Sequence, residues 1–185
     1  MSRRRGHAAL DETARRHAIG YTTLRPAVFT TAITDLADEI SSTDGWTGSA
    51  PSGRNPFVDP RDVGACAAAV LLRGTWWGQH LDLTGPALYS WPDVAALLTT
   101  ELGRPITYWP GDEDAVRADT LRRGLPETFA EVLVARDRAA EAGENELLTD
   151  LVQRLTGTAP RTLPDYVHEH RAEFQPGLQV AADNP

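Results

Sequence analysis

The sequence predicts an α/β protein whose strands form a largely parallel sheet, followed by a helical C-terminal region. Three observations carry this. Helix-period and strand-like stretches alternate as far as about residue 110; a short apolar strand runs directly into a well-marked helix start within Asn55–Leu72; and from Asp112 onward the strand signals stop.

Taken in order, His7 to His17 is helix-compatible, with Ala8, Leu10, Ala14 and Ala18 forming a modest apolar stripe. Ile19 to Leu24 is rich in β-branched and aromatic residues and reads as a strand halted by Arg25-Pro26. Phe29, Ile33, Leu36, Ala37 and Ile40 recur at helical spacing, and the following SSTDGWTGSAPSGRNP is turn-forming throughout. Phe57-Val58 is the next strand. Asp59 then serves as N-cap, Pro60 as a first helical residue with no N–H to satisfy, and Asp62 as the acid that completes a capping box. Val63, Ala67, Val70 and Leu71 share one face of that helix.

Gly74 to Gly78 is a turn, Gln79 to Thr84 a short strand stopped by Gly85-Pro86, and Ser90 with Asp93 caps a helix that Gly103 ends. Pro105 to Trp109 is a further strand. Asp112 to Arg123, Pro126 to Ala142 and Glu146 to Leu155 read as helices, and Thr162 to Asp165 caps a last one through Phe174. This divides the chain into an α/β part, residues 1–110, a helical part, residues 111–174, and a fraying tail, residues 175–185.

Composition narrows the function. A length of 185 residues suffices for one domain with a proper core, at 41% hydrophobic and 24% charged. The net charge of -8 and scattered arginines leave no nucleic-acid footprint. Cys66 is the only cysteine, so an intramolecular disulfide is excluded and a buried thiol in a reducing compartment is expected. No apolar run approaches the roughly 20 residues of a membrane span, and Met1 to Gly6 lacks the apolar core of a signal peptide, which predicts a soluble, cytoplasmic protein. All 18 basic residues are arginine. Without lysine there is no Schiff base, no P-loop lysine and no Tyr-x-x-x-Lys dyad.

Candidate chemistry is sparse. His168 and His170 lie two apart on a helix and so point to different sides, and Asp112, Glu113 and Asp114 lack the spacing and glycine of a calcium loop; no metal site is expected. No G-x-S-x-G elbow occurs. Trp76, Trp77, Trp91 and Trp109 are read as core and edge packing rather than a pocket. A strand ending in Arg25-Pro26 at the carboxyl edge of a parallel sheet differs from these, because that edge is where open α/β folds bind ligands.

Read together, YTTLRPAVFT, FVDPRDVGACAAAVL, HLDLTGPALYSWPDVAALLTTELGRPITY, GLPETFAEVL and LTGTAPRTLPDYVHEHRAEF resemble the NmrA-like family of atypical short-chain dehydrogenase/reductases, from about His7 to Phe174. The resemblance implies a Rossmann fold that binds NADP or NAD, with the helical region roofing a substrate cleft. It implies hydride transfer to a small quinone, carbonyl or unsaturated substrate in some members, and nucleotide sensing with regulation of a partner protein in others. By the same likeness Arg25, Pro26, Ala27 and Val28 line the nicotinamide end of the cleft and Phe29 stands beside substrate, although core packing explains Phe29 equally well; no catalytic side chain is assigned.

The chain departs from the family at its front. No glycine-rich phosphate loop follows a strand, so it resembles only the second half of such a protein. From this a truncated reductase is expected, with weak or absent NADPH binding by the chain alone and a sheet edge covered by an N-terminal half or a partner protein. A non-catalytic regulator and a non-functional remnant are the alternatives.

Overall fold

The computed structural model describes residues 12–17 and 20–175. Residues 12–16 are helical (α1), and the rest of the stretch expected to be helical from His7, like all of the expected tail but Gln175, lies outside the described residues. There follow β1 (Thr23–Pro26), α2 (Thr31–Thr34), α3 (Ala37–Thr43), β2 (Gly45–Gly48), β3 (Arg54–Pro56), α4 (Pro60–Arg73), β4 (His80–Leu83) and β5 (Leu88–Ser90). After these come α5 (Trp91–Leu102), β6 (Thr107–Pro110), α6 (Glu113–Arg122), α7 (Glu127–Glu141), α8 (Leu151–Thr156) and α9 (Leu163–His170), which continues as a 3-10 turn, Arg171–Phe174.

The fold is α/β. β1 pairs in parallel with β4, β2 pairs in parallel with β6, and β3 pairs antiparallel with β5. Both parallel pairs join strands far apart in sequence with helices between them, as parallel pairing requires.

Several boundaries differ from the sequence reading. β1 includes Arg25 and Pro26 instead of stopping before them. Thr23 and Ala27 donate their N–H groups to Gln79 and Leu83, both at 2.9 Å, so the alternation of the strand turns the missing donor of Pro26 away from β4 and the proline costs no ladder bond. Gly45–Gly48, expected to be turn throughout, is a strand: Trp46 is buried at 2% exposure, and Gly45 lies so close to the Thr107 carbonyl that a Cβ would stand 2.0 Å from its oxygen. The expected strand Phe57-Val58 is not one: β3 ends at Pro56, just before it, and Val58 forms only a single parallel bridge to Phe29. The helix expected over Phe29 to Ile40 is broken into α2 and α3, and the one expected from Glu146 begins only at Leu151.

Helix starts match local chemistry more closely. Asp59 accepts the Arg61 N–H at 2.7 Å, Ser90 and Asp93 form a reciprocal capping box, and Asp112 and Thr162 cap α6 and α9. Asp62 does not close the box. Its carboxylate instead accepts the Arg161 N–H at 2.7 Å and the Arg161 guanidinium, tying α4 to the approach to α9. The buried face of α4 is Asp62, Cys66 and Val70, at i, i+4 and i+8, which leaves Leu71 at 84% exposure rather than packed.

Two apolar cores result. The larger gathers Ile33, Ile40, Trp46, Phe57, Trp91, Val94, Leu98, Tyr108, Val167 and Phe174 between α2, α3, α5, α9 and the β2–β6 pair. Its aromatic rings meet edge to face, Trp46 with Trp91 at 5.9 Å and Phe57 with Trp91 at 5.5 Å. The smaller gathers Cys66, Val70, Leu81, Leu83, Val152 and Leu155, with Leu24 against it, beneath α4 and α8.

Candidate active site

The carboxyl end of β1 leads through Ala27, Val28 and Phe29 into α2, and two other segments converge on it. Val58, just before α4, donates its N–H to the Val28 carbonyl at 2.8 Å and accepts from Thr30 at 3.1 Å. Gly85, just after β4, approaches the Phe57 carbonyl so closely that an added Cβ would stand 1.8 Å from the oxygen. Only glycine leaves room there, and the close approach draws the β4–β5 loop onto the β3–α4 segment.

The residues expected at the nicotinamide end occupy different settings. Arg25 reaches across the ladder to Asp82 at 2.8 Å, each side chain 37% exposed, and its Nε is enclosed without a partner. Pro26 is half-buried, as is Ala27, whose N–H is used by Leu83. Val28 is buried in the larger core, so what it offers the edge is backbone. Phe29, flanked by buried Val28 and Thr30, is 37% exposed and turns its ring outward. Arg25 to Val28 and Phe29 are thus continuous along one edge, where Phe29 is the most exposed apolar side chain beside half-buried Pro26 and Ala27.

Sequence reading missed a polar layer behind that edge. Thr149 donates its hydroxyl to the Asp82 carbonyl at 2.7 Å and its N–H to the Thr84 hydroxyl at 3.0 Å, so the segment between α7 and α8 is fastened to the carboxyl end of β4. Asn145 donates to the buried Asn55 side chain at 2.8 Å, and Glu146 receives a two-pronged contact from Arg54 at 2.8 and 3.0 Å. No local pattern announces these ties, which join residues 65 to 92 positions apart. The Tyr166 hydroxyl lies 3.1 Å from the Thr34 hydroxyl on α2, and its ring stacks on His170 at 4.0 Å. Burial raises the Tyr166 phenol above its ordinary value, although its hydroxyl neighbours oppose this, and makes it a poor acid near neutrality.

The start of α4 is closed to anions. Asp59 is buried at 1% exposure; burial pushes its carboxyl up, but the side-chain and backbone bonds from Arg61, with the nearby positive charges, outweigh this and hold it below the usual range. Arg61 also reaches Glu169 at 2.8 Å. A phosphate at this helix start would meet an ionised carboxylate. Of the expected non-sites, His168 pairs with Glu101 at 3.0 Å, and His170 contacts the Tyr166 carbonyl at 2.8 Å. Cys66 is fully buried, its thiol pushed up to about 11 by burial and by the charge of Asp62. Trp91 belongs to the larger core and Trp76 packs against the smaller one, whereas Trp109 and Trp77 are exposed. No helix among the described residues is long and apolar enough to cross a membrane.

Parallel strand pairs layered with helices, and a loop-lined carboxyl edge, define the class of Rossmann-like nucleotide-binding folds. No protein-family model matches the chain. Agroclavine dehydrogenase of Claviceps fusiformis is 31% identical over 169 residues, covering 89% of this chain and 57% of the relative. An NADPH-dependent quinone oxidoreductase of Escherichia coli superimposes with a TM-score of 0.82 at 24% identity, over 89% of this chain and 60% of that one. NmrA, a negative transcriptional regulator solved in complex with NAD, superimposes with a TM-score of 0.56 at 16% identity, over 82% of this chain and 52% of that one. The relatives and solved structures that the chain matches are NAD(P)-binding proteins of the NmrA-like, atypical short-chain dehydrogenase/reductase kind. The chain spans somewhat more than half the length of these relatives.

Proposed function

We propose that the chain is the substrate-side half of an NAD(P)-dependent reductase acting on a small quinone, carbonyl or unsaturated compound in the cytoplasm. The observation that carries this reading is the β1–β4 pair. Leu24, Leu81 and Leu83 pack toward α4 and α8 on one face, while Arg25 and Asp82 remain open on the other, and β1 has no neighbouring strand besides β4 among the described residues. Parallel sheets are ordinarily covered on both faces and continued by further strands, so this pair is built to receive more sheet. An N-terminal half bearing a glycine-rich loop is the partner that fits.

The residues present suit one end of the cofactor and not the other. A mainly apolar edge from Pro26 to Phe29 suits a nicotinamide ring, whereas the acids at the start of α4 oppose the pyrophosphate. When bound, the reduced nicotinamide supplies a hydride. This chain's own part is to bind and orient: Arg25 to Val28 set the backbone against the ring, and Phe29 holds substrate over it. The likeness to agroclavine dehydrogenase and to a quinone oxidoreductase supports a small-molecule substrate.

The test is NADPH-dependent reduction of menadione by this chain and by the chain joined behind a strand, glycine loop and helix from a relative. Turnover by the joined protein alone is expected, with F29S lowering it about tenfold. Tight NADPH binding without turnover by the joined protein would instead favour a nucleotide-sensing regulator, the reading that the fold likeness to NmrA supports.

A further inference from the structure

We propose that Asn145 to Thr149 form a specificity strap, in which Leu147 and Leu148 are the apolar wall that a flat, apolar substrate meets opposite Phe29. The inference rests on the reductase reading above and goes beyond it by assigning the residues that choose the substrate.

Five residues carry the argument. The strap crosses between two strands and is tied at both ends by side-chain hydrogen bonds: Asn145 to Asn55 and Glu146 to Arg54 on β3, then Thr149 to Asp82 and Thr84 at the carboxyl end of β4. Between the ties stand two leucines at 50% and 46% exposure. The Leu147 N–H folds back onto the Asn145 carbonyl at 2.8 Å, which fixes the turn between the anchors. Consecutive Cα atoms are about 3.8 Å apart, so neither leucine lies more than about 8 Å from Thr149. Thr149 in turn contacts the residue that pairs with Arg25.

Two exposed leucines held in place by four polar ties are not an ordinary surface loop, because fixing the backbone costs entropy that exposed apolar groups do not repay. Nor do they suit a protein partner. Two half-exposed side chains and Phe29 offer far less than the roughly 800 Å² per side of a stable protein interface. Their area matches one face of a small aromatic ring system, and such surfaces at loops beside the carboxyl edge of a sheet are where α/β folds bind small ligands.

Equilibrium binding of menadione to the whole chain, followed by tryptophan fluorescence, tests this. The L147S/L148S variant is expected to bind about tenfold more weakly with its thermal midpoint unchanged, while L71S/L72S, at the far end of α4, binds like the parent. T149V, which removes the hydroxyl's bond to the Asp82 carbonyl and spares the leucines, is expected to weaken binding, and T149S to restore it. Equal affinity of the parent and L147S/L148S would overturn the strap while leaving the reductase reading standing. No binding by the parent would overturn that reading and the strap with it.

Discussion

The two apolar cores differ in how they are closed. The larger is walled by helices and by the β2–β6 and β3–β5 pairs, and its central side chains, such as Ile33, Val94 and Leu98, are fully buried. The smaller is a single layer: α4 and α8 cover one face of β1 and β4, every residue of β1 is only half-buried, and the opposite face carries an ion pair. One core is complete within the described residues. The other is covered on one face only among the described residues, and the candidate site lies where that layer meets the complete core, along Ala27 to Phe29.

The comparison is sharpened most by truncating one leucine in each core. Leu98→Ala should cost about 3 kcal/mol, read from urea denaturation, because surrounding aromatic rings cannot collapse onto the cavity. Leu83→Ala, equally buried, should cost about 2 kcal/mol, since a one-sided layer relaxes. Amide exchange should reveal earlier opening of β1 and β4 than of β2 and β6 in both proteins. Equal costs and equal protection would break the distinction.

Next in size is the joint between the cores. Asp59→Ala removes the α4 cap and a buried carboxylate's contacts with Arg61, and should cost about 2 kcal/mol by urea denaturation. The sign with pH follows from the lowered folded pKa of Asp59. Its contribution is fully present above the unfolded value near 3.8 and is lost as pH falls through the lower folded value. Asp59→Asn, which can still cap, should therefore flatten the acid limb of the stability curve more than it lowers the plateau. The smallest effect is expected at the open face. Arg25→Gln breaks a partly exposed ion pair and should change stability by less than about 1 kcal/mol, with added salt shrinking the difference.

Legibility in the sequence followed the range of the interactions. Starts of α4, α5, α6 and α9 could be read because Asp59, Ser90, Asp112 and Thr162 act within three residues of themselves. β2 could not, because Gly45 to Gly48 is an extended segment only by virtue of β6, some 60 residues later; the one local hint was Trp46 among small residues. Asp62 looked like a capping acid because its true partner, Arg161, is 99 positions away. Leu71 was misplaced because the packed stripe of α4 runs through Asp62 and Cys66, a polar and a small residue that a hydrophobic count passes over. At the candidate edge the run Arg25 to Phe29 was legible from its motif, whereas the ties from Thr149, Asn145 and Glu146 depend on tertiary contact alone.

On the proposed function, this chain supplies the substrate side of a cleft whose phosphate side lies on another segment. Calorimetric titration with NADPH tests it most directly. No saturable binding by these 185 residues is expected below millimolar concentration, and micromolar binding is expected once a strand and glycine loop are joined in front. A micromolar dissociation constant for the chain by itself would contradict it.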